Sequence, residues 1–182
     1  MVVLAIGVAA LSGCGDARTR ALDLTTPATP AGHTFARFGS AGLLLRAVPA
    51  NWRVQAGQSP LVATISSGDG TLAIWRYQRT QPLPRTHAAL RQALAALLAT
   101  VRARDPTFKP LRQKTTRVDH QPAIVLLGLA TIDGNRRETR STHVFAYGAE
   151  VVLDAYAPAP SFVRSDRLAF LPMIRSMQLR RP

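Results

Sequence analysis

The chain carries one cysteine, Cys14, and four histidines, His33, His87, His120 and His143. A lone thiol forms no disulfide within the chain and no cysteine-based metal site. The histidines fall on a linker, a helix start, a turn and a strand, at no spacing that makes a zinc site by itself. Ser141, His143 and Asp154 lie on neighbouring predicted strands, and alternation puts Ser141 and His143 on one face. They could be assembled as nucleophile, base and orienting acid, but no G-x-S-x-G elbow surrounds the serine. Asp69-Gly70 and Asp133-Gly134 lack the alternating carboxylates of a calcium loop, and no glycine-rich loop cradles a phosphate. The sequence thus predicts no catalytic residue, no metal and no cofactor.

Arginine and aromatic side chains gather instead on two predicted strands. Trp75, Arg76, Tyr77 and Arg79 share one, and Arg136, Arg137, Glu138, Arg140 and His143 share the other. Protein hot spots and anion clefts are built from such groups, so Trp75, Arg76, Tyr77, Arg79, Arg140 and His143 are the candidate binding residues. The competing reading buries Trp75 and Tyr77 under a helix and pairs Arg140 with Glu138 or Glu150 across the sheet.

Cys14 has a use of its own. Residues 2–11 form an almost unbroken apolar run leading into Leu11-Ser12-Gly13-Cys14. The run is too short to span a membrane, which takes roughly 20 residues. It has the length of a signal-peptide core, with small residues before the cleavage point. The four residues resemble the lipobox of bacterial lipoproteins, whose cysteine receives diacylglycerol before the leader is removed. That resemblance implies a signal peptide over residues 1–13 and a membrane anchor on Cys14. No Lys or Arg precedes Cys14, although a leader opens with a basic stretch, so the true start is expected upstream of Met1. Residues 14–33, rich in Thr, Pro and Ala, read as a flexible tether that would hold the domain roughly 25 Å from the bilayer.

The net charge of +13 brings nucleic acid to mind. However, of the 23 basic residues only Lys109 and Lys114 are lysine, and the arginines are scattered without a block of like charge. Compositional bias and a solvated surface account for them better than a nucleic-acid partner. With 47% hydrophobic residues the chain of 182 residues can bury the core of one domain, expected over residues 34–182.

The elements that must position these groups are mostly short strands. Runs 43–48, 61–66 and 72–79 come first, the last two joined by a turn at Ser67-Gly68-Asp69-Gly70. Thr86 can cap a helix to Arg104, with Leu90, Leu94, Leu97, Leu98 and Val101 on one face, and Asp105-Pro106 ends it. A strand at 108–116, then 123–132, 136–147 and 150–157, the last three joined by Asp133-Gly134-Asn135 and Gly148-Ala149, read as an antiparallel meander. A second helix is expected over 161–176, with Phe162, Leu168, Phe170, Leu171 and Ile174 facing the sheet. The order indicates an α+β fold, a single antiparallel sheet flanked by two main helices.

That order, with Ala47-Val48-Pro49-Ala50-Asn51-Trp52-Arg53-Val54 near the start and Phe170 and Ile174-Arg175-Ser176-Met177 near the end, resembles the PsbP-like family, which takes in actinobacterial lipoproteins of the LpqN type. The resemblance covers about residues 35–180 and implies binding or assembly rather than catalysis, with no catalytic residues to carry over. The expected function is therefore a non-enzymatic binding or assembly module, lipid-anchored on the extracytoplasmic face of the cell membrane, whose partner is an envelope protein or lipid. The alternative is an envelope hydrolase with an unrecognised active site.

Overall fold

The structure, a computed structural model, describes residues 25–182. The expected signal peptide, Cys14 and the first part of the tether lie outside the described residues. Among the described residues ten strands form: β1 (His33–Phe38), β2 (Leu43–Pro49), β3 (Arg53–Ala56), β4 (Leu61–Ser67), β5 (Gly70–Gln78), β6 (Lys109–Val118), β7 (Gln121–Ile132), β8 (Asn135–Ala146), β9 (Ala149–Pro158) and β10 (Gln178–Leu179). Helix α1 (His87–Arg104) lies between β5 and β6, while α2 (Ala159–Ser165), a π turn (Asp166–Phe170) and α3 (Leu171–Arg175) run on from β9.

Two sheets result, not the expected one. A seven-stranded sheet runs in the order β3-β4-β5-β9-β8-β7-β6, and a three-stranded sheet in the order β1-β2-β10. The α+β expectation of a single sheet flanked by two main helices is therefore corrected to a mostly β fold. The break comes at Pro49, which has no N–H to carry the β2 ladder further. There Trp52 N bonds Pro49 O at 3.1 Å, and β3 starts afresh against β4. Hydrophobic alternation sets which face of a strand is buried, but it does not say which strand lies beside it.

The three-stranded meander forms, with its first turn at Asp133-Gly134 as expected and its second one residue earlier than the expected Gly148-Ala149, at Tyr147-Gly148. Asp133 and Gly134 have φ of 49° and 73°, and Tyr147 and Gly148 have 50° and 72°. Asp119 and His120, between β6 and β7, have 48° and 61°. Positive φ at both central residues is the type I′ turn, whose twist matches that of the strands it joins. Register follows: Ser141 faces Asp154, His143 faces Val152 and Phe145 faces Glu150.

One face of the large sheet is the main core. Leu72, Ile74, Val144, Val151, Leu153 and Ala155 meet Leu43, Leu45 and Val48 of β2 and Phe162, Phe170, Met173 and Ile174 of the second helical stretch. Trp52 meets Phe170 edge-on with ring centroids 5.7 Å apart. The second stretch is not one regular helix. Pro172 cannot donate to the carbonyl four residues back, and the chain widens into the π turn, where Leu171 N bonds Asp166 O.

The opposite face is only partly covered. Thr86 Oγ1 accepts from Ala89 N at 3.2 Å to start α1, as its sequence predicts. Of this helix only Leu90 is fully buried, on Ile124 of β7 and Phe145 of β8, with Leu94 and Leu97 half-buried beside it. The far end is latched: Asp105 accepts from Thr107 N and from Thr131 N of β7, each at 2.9 Å. Phe108 then lies over Gly128, where a Cβ would come within 2.4 Å of its ring. The helix therefore covers β6, β7 and Phe145 of β8 and leaves a cleft alongside, over the neighbouring parts of β8 and β9.

Residues 25–32, read as the end of the tether, are bonded to the domain. Asp69 N donates to Thr25 O at 2.7 Å and Ala28 N to Ser67 Oγ at 3.0 Å. Asn51 brackets the segment, its Nδ2 donating to Thr29 O and its Oδ1 accepting from Ala31 N, and the Trp52 indole N–H donates to Ala28 O.

Candidate functional site

Alternation divides the six candidate binding residues between the two faces. Trp75, Tyr77, Arg79 and His143 share the face beside α1, whereas Arg76 and Arg140 belong to the core face. Trp75 and Tyr77 stack with centroids 6.4 Å apart, and Tyr77 is 40% exposed and so is not buried under a helix. Arg76 donates to Ala41 O at 3.1 Å, while its Nε and second terminal nitrogen find no acceptor among the described residues, and burial lowers its pKa. Arg140 pairs with neither Glu138 nor Glu150: its Nε and Nη2 clasp both carboxylate oxygens of Asp166 at 2.6 and 2.7 Å. Arg137 pairs with Asp69 at 3.1 Å, and Arg136 donates to Thr107 O at 2.9 Å. Burial, then the nearby Asp166, raises the Glu138 pKa.

Beside α1 a connected polar group sits on the sheet. His143 Nδ1 lies 2.6 Å from Glu150 Oε1, and the other Glu150 oxygen takes a hydrogen bond from Arg79. His143 Nε2 lies 2.9 Å from Ser141 Oγ, which donates to Asp154 Oδ1 at 2.5 Å. The ladder explains the grouping. Ser141 and Asp154 face each other, and the Tyr147-Gly148 turn folds Glu150 back diagonally beside His143. Counting outward from a two-residue turn at that position would have found Glu150, which sequence reasoning weighed only as a partner for Arg140.

The two carboxylates are shifted in opposite directions. Burial pushes Glu150 up, but the hydrogen bond and charge of His143 and then Arg79 outweigh it, so its pKa ends below the ordinary value. Asp154 ends above it, because burial outweighs the help of Ser141, His143 and Arg104.

His143 and Glu150 form part of the floor of a cleft of about 880 Å³ between α1 and the sheet. Ala89, Ala93, Ala96, Leu97 and Thr100 make its helical wall, Ile124 and Phe145 the rest of its floor, and Leu83 and Arg79 its rim. Small side chains on successive turns of α1 keep the helix from filling this space. The volume falls within the range of small-molecule sites, roughly 300–1,000 Å³. Among the described residues no cluster of His, Cys, Asp and Glu is placed to hold a metal ion.

Ser141, His143 and Glu150 match the order of groups in a serine hydrolase relay. Ser141, however, lies within β8, paired with β7 on one side and β9 on the other. Backbone N–H groups there serve the ladder and do not converge on a developing oxyanion.

No family model and no curated protein matches this chain. Solved structures do resemble it. Cyanobacterial PsbP from Synechocystis superposes with a TM-score of 0.61 at 12% identity, over 95% of this chain and 99% of that one. LpqN of Mycobacterium tuberculosis, described as involved in cell envelope biogenesis, gives 0.54 at 17% identity, over 80% of this chain and 89% of that one. A protein of unknown function from Pseudomonas aeruginosa gives 0.51 at 16% identity, over 83% and 99%. Two packed antiparallel sheets, one helix laid across the outer face and a broken helical stretch in the core make this a PsbP-like fold.

Proposed function

We propose that the protein is a non-enzymatic binding module, anchored by lipid on Cys14 at the extracytoplasmic face of a membrane, that holds a lipid-class ligand between α1 and the sheet. The cleft carries this reading. Its apolar wall of Ala93, Ala96, Leu97, Ile124 and Phe145 suits an acyl chain, and the half-exposed guanidinium of Arg79, held by Glu150, offers hydrogen bonds to a polar end. The description of LpqN, a protein of the same fold, agrees with an envelope setting.

The anchor is tested by fractionation of the host cell: Cys14→Ser moves the protein from the membrane fraction to the soluble fraction. A variant that stays membrane-bound in full rules the anchor out.

The cleft is tested with cis-parinaric acid, whose fluorescence rises when its chain leaves water. The full chain binds it saturably, and Ala93→Trp, which fills the cleft from the helical side, weakens binding at least about tenfold, or ~1.4 kcal/mol. Equal binding by the variant, or none by the wild type, rejects the lipid reading. Ser141, His143 and Glu150 share the order of groups of a hydrolase relay, so envelope hydrolysis is tested as a second reading by treating the same preparation with a fluorophosphonate. An unlabelled Ser141 leaves binding as the function, and stoichiometric labelling replaces it with hydrolysis.

A further inference from the structure

Where the β6–β7 and β8–β9 turns meet at one end of the large sheet, a second, open basin of about 800 Å³ is lined by Arg85, Arg117, His120, Tyr147 and Arg181 among others. The arginines come from three places in the fold: the stretch before α1, the end of β6, and the residues after β10. Among the described residues no Asp or Glu side chain lines this basin. The acids nearest in sequence are already engaged. Asp119 Oδ2 accepts from Leu179 N at 2.7 Å, and Glu150 is bonded to His143 and Arg79. Elsewhere the guanidinium groups of Arg79, Arg137 and Arg140 each meet a carboxylate.

Like charges gathered around one basin repel, and an anion placed among them relieves the repulsion. The site is also partly fixed in advance. Arg117 donates to His120 O at 2.7 Å, and His120 belongs to the rigid type I′ turn. Arginine forks match the oxygens of a tetrahedral oxyanion, and a phosphate dianion answers several of them where a single carboxylate does not.

We propose that this basin binds a phosphate group borne by a larger molecule. Its volume far exceeds that of a lone phosphate, and Pro122, Phe145 and Tyr147 supply an apolar side for the remainder. The phosphate has two possible sources, a phospholipid headgroup or a soluble phosphate ester.

The purified full chain is titrated with inorganic phosphate by calorimetry and co-sedimented with vesicles of phosphatidylglycerol or of phosphatidylcholine, at low and high salt. Saturable phosphate binding is expected, lost at least about tenfold in Arg117→Gln/Arg181→Gln and kept in Arg53→Gln/Arg102→Gln, which removes the same charge from exposed positions outside the basin. Phosphatidylglycerol sedimentation that phosphate displaces and the first variant loses identifies the headgroup as the source. Phosphate binding without sedimentation identifies a soluble ester. No phosphate binding, or a loss equal in the two double variants, overturns the site, since the effect then belongs to the basic surface as a whole. Both outcomes are independent of cis-parinaric acid binding in the cleft.

Discussion

Asp166→Ala is expected to cost about 3–5 kcal/mol of folding stability, read as a fall in the urea midpoint. The reason is what remains. Arg140 is 9% exposed on the core face of β8, and the mutation strands its guanidinium with no acceptor. Asp166 also begins the π turn, so the pair fastens the widened helix to the sheet across 26 residues of chain. The double variant Arg140→Met/Asp166→Leu is expected to regain most of the loss, since two apolar groups of similar size need no partners. Equal losses in the single and double variants would show that the pair specifies the local structure and not merely its own electrostatic balance. The pair faces away from the cleft, so neither variant should change cis-parinaric acid affinity once folded.

Glu150→Ala is the second large effect, about 2–3 kcal/mol, because the buried His143 loses its acceptor at a position only 6% exposed, while the half-exposed Arg79 turns to water. Its pH dependence has a definite sign. A carboxylate whose folded pKa lies below the ordinary value stabilises the fold above the ordinary glutamate range, and that stability is lost as pH falls through the folded value. Glu150→Gln keeps an acceptor for His143 but not the charge. Its deficit against wild type is therefore full at neutral pH and closes on acidification; a deficit that stays constant through the acid range would show that the charge contributes nothing. Unlike the Asp166 variants, this one should also weaken binding in the cleft.

Local signals in the sequence were legible where chemistry was local. Thr86 capped α1 at the expected residue, and Asp133-Gly134 made the expected hairpin. The alternation that joined Ser141 to His143 also held. What failed to show was partnership at a distance. Nothing in the spacing of Leu43, Leu45 and Val48 says that their strand pairs with β1 and β10 and not with the main sheet. Asp166 lies on a helix 26 residues from Arg140, and only Pro172, as a warning of irregular helix, pointed near it. The candidate arginines were found by type, but type does not tell a core face from a cleft face. Position in the ladder does, and this is why Arg79 and Arg140 have opposite fates.

The bonding of residues 25–32 has a mechanical meaning. A pull arriving along the chain from ahead of Thr25 meets, in turn, the β4–β5 turn at Asp69 and Ser67, then Asn51 and Trp52 between the sheets, then Arg164 of α2 at Thr29. Each contact takes a share of the load before β1 is reached, so tension is spread over the large sheet, the inter-sheet turn and the core helix and not concentrated on the small sheet. Under force these attachments must give way together before β1 is pulled, and the cleft beside α1, on the other face of the large sheet, would be the last part of the domain to feel it.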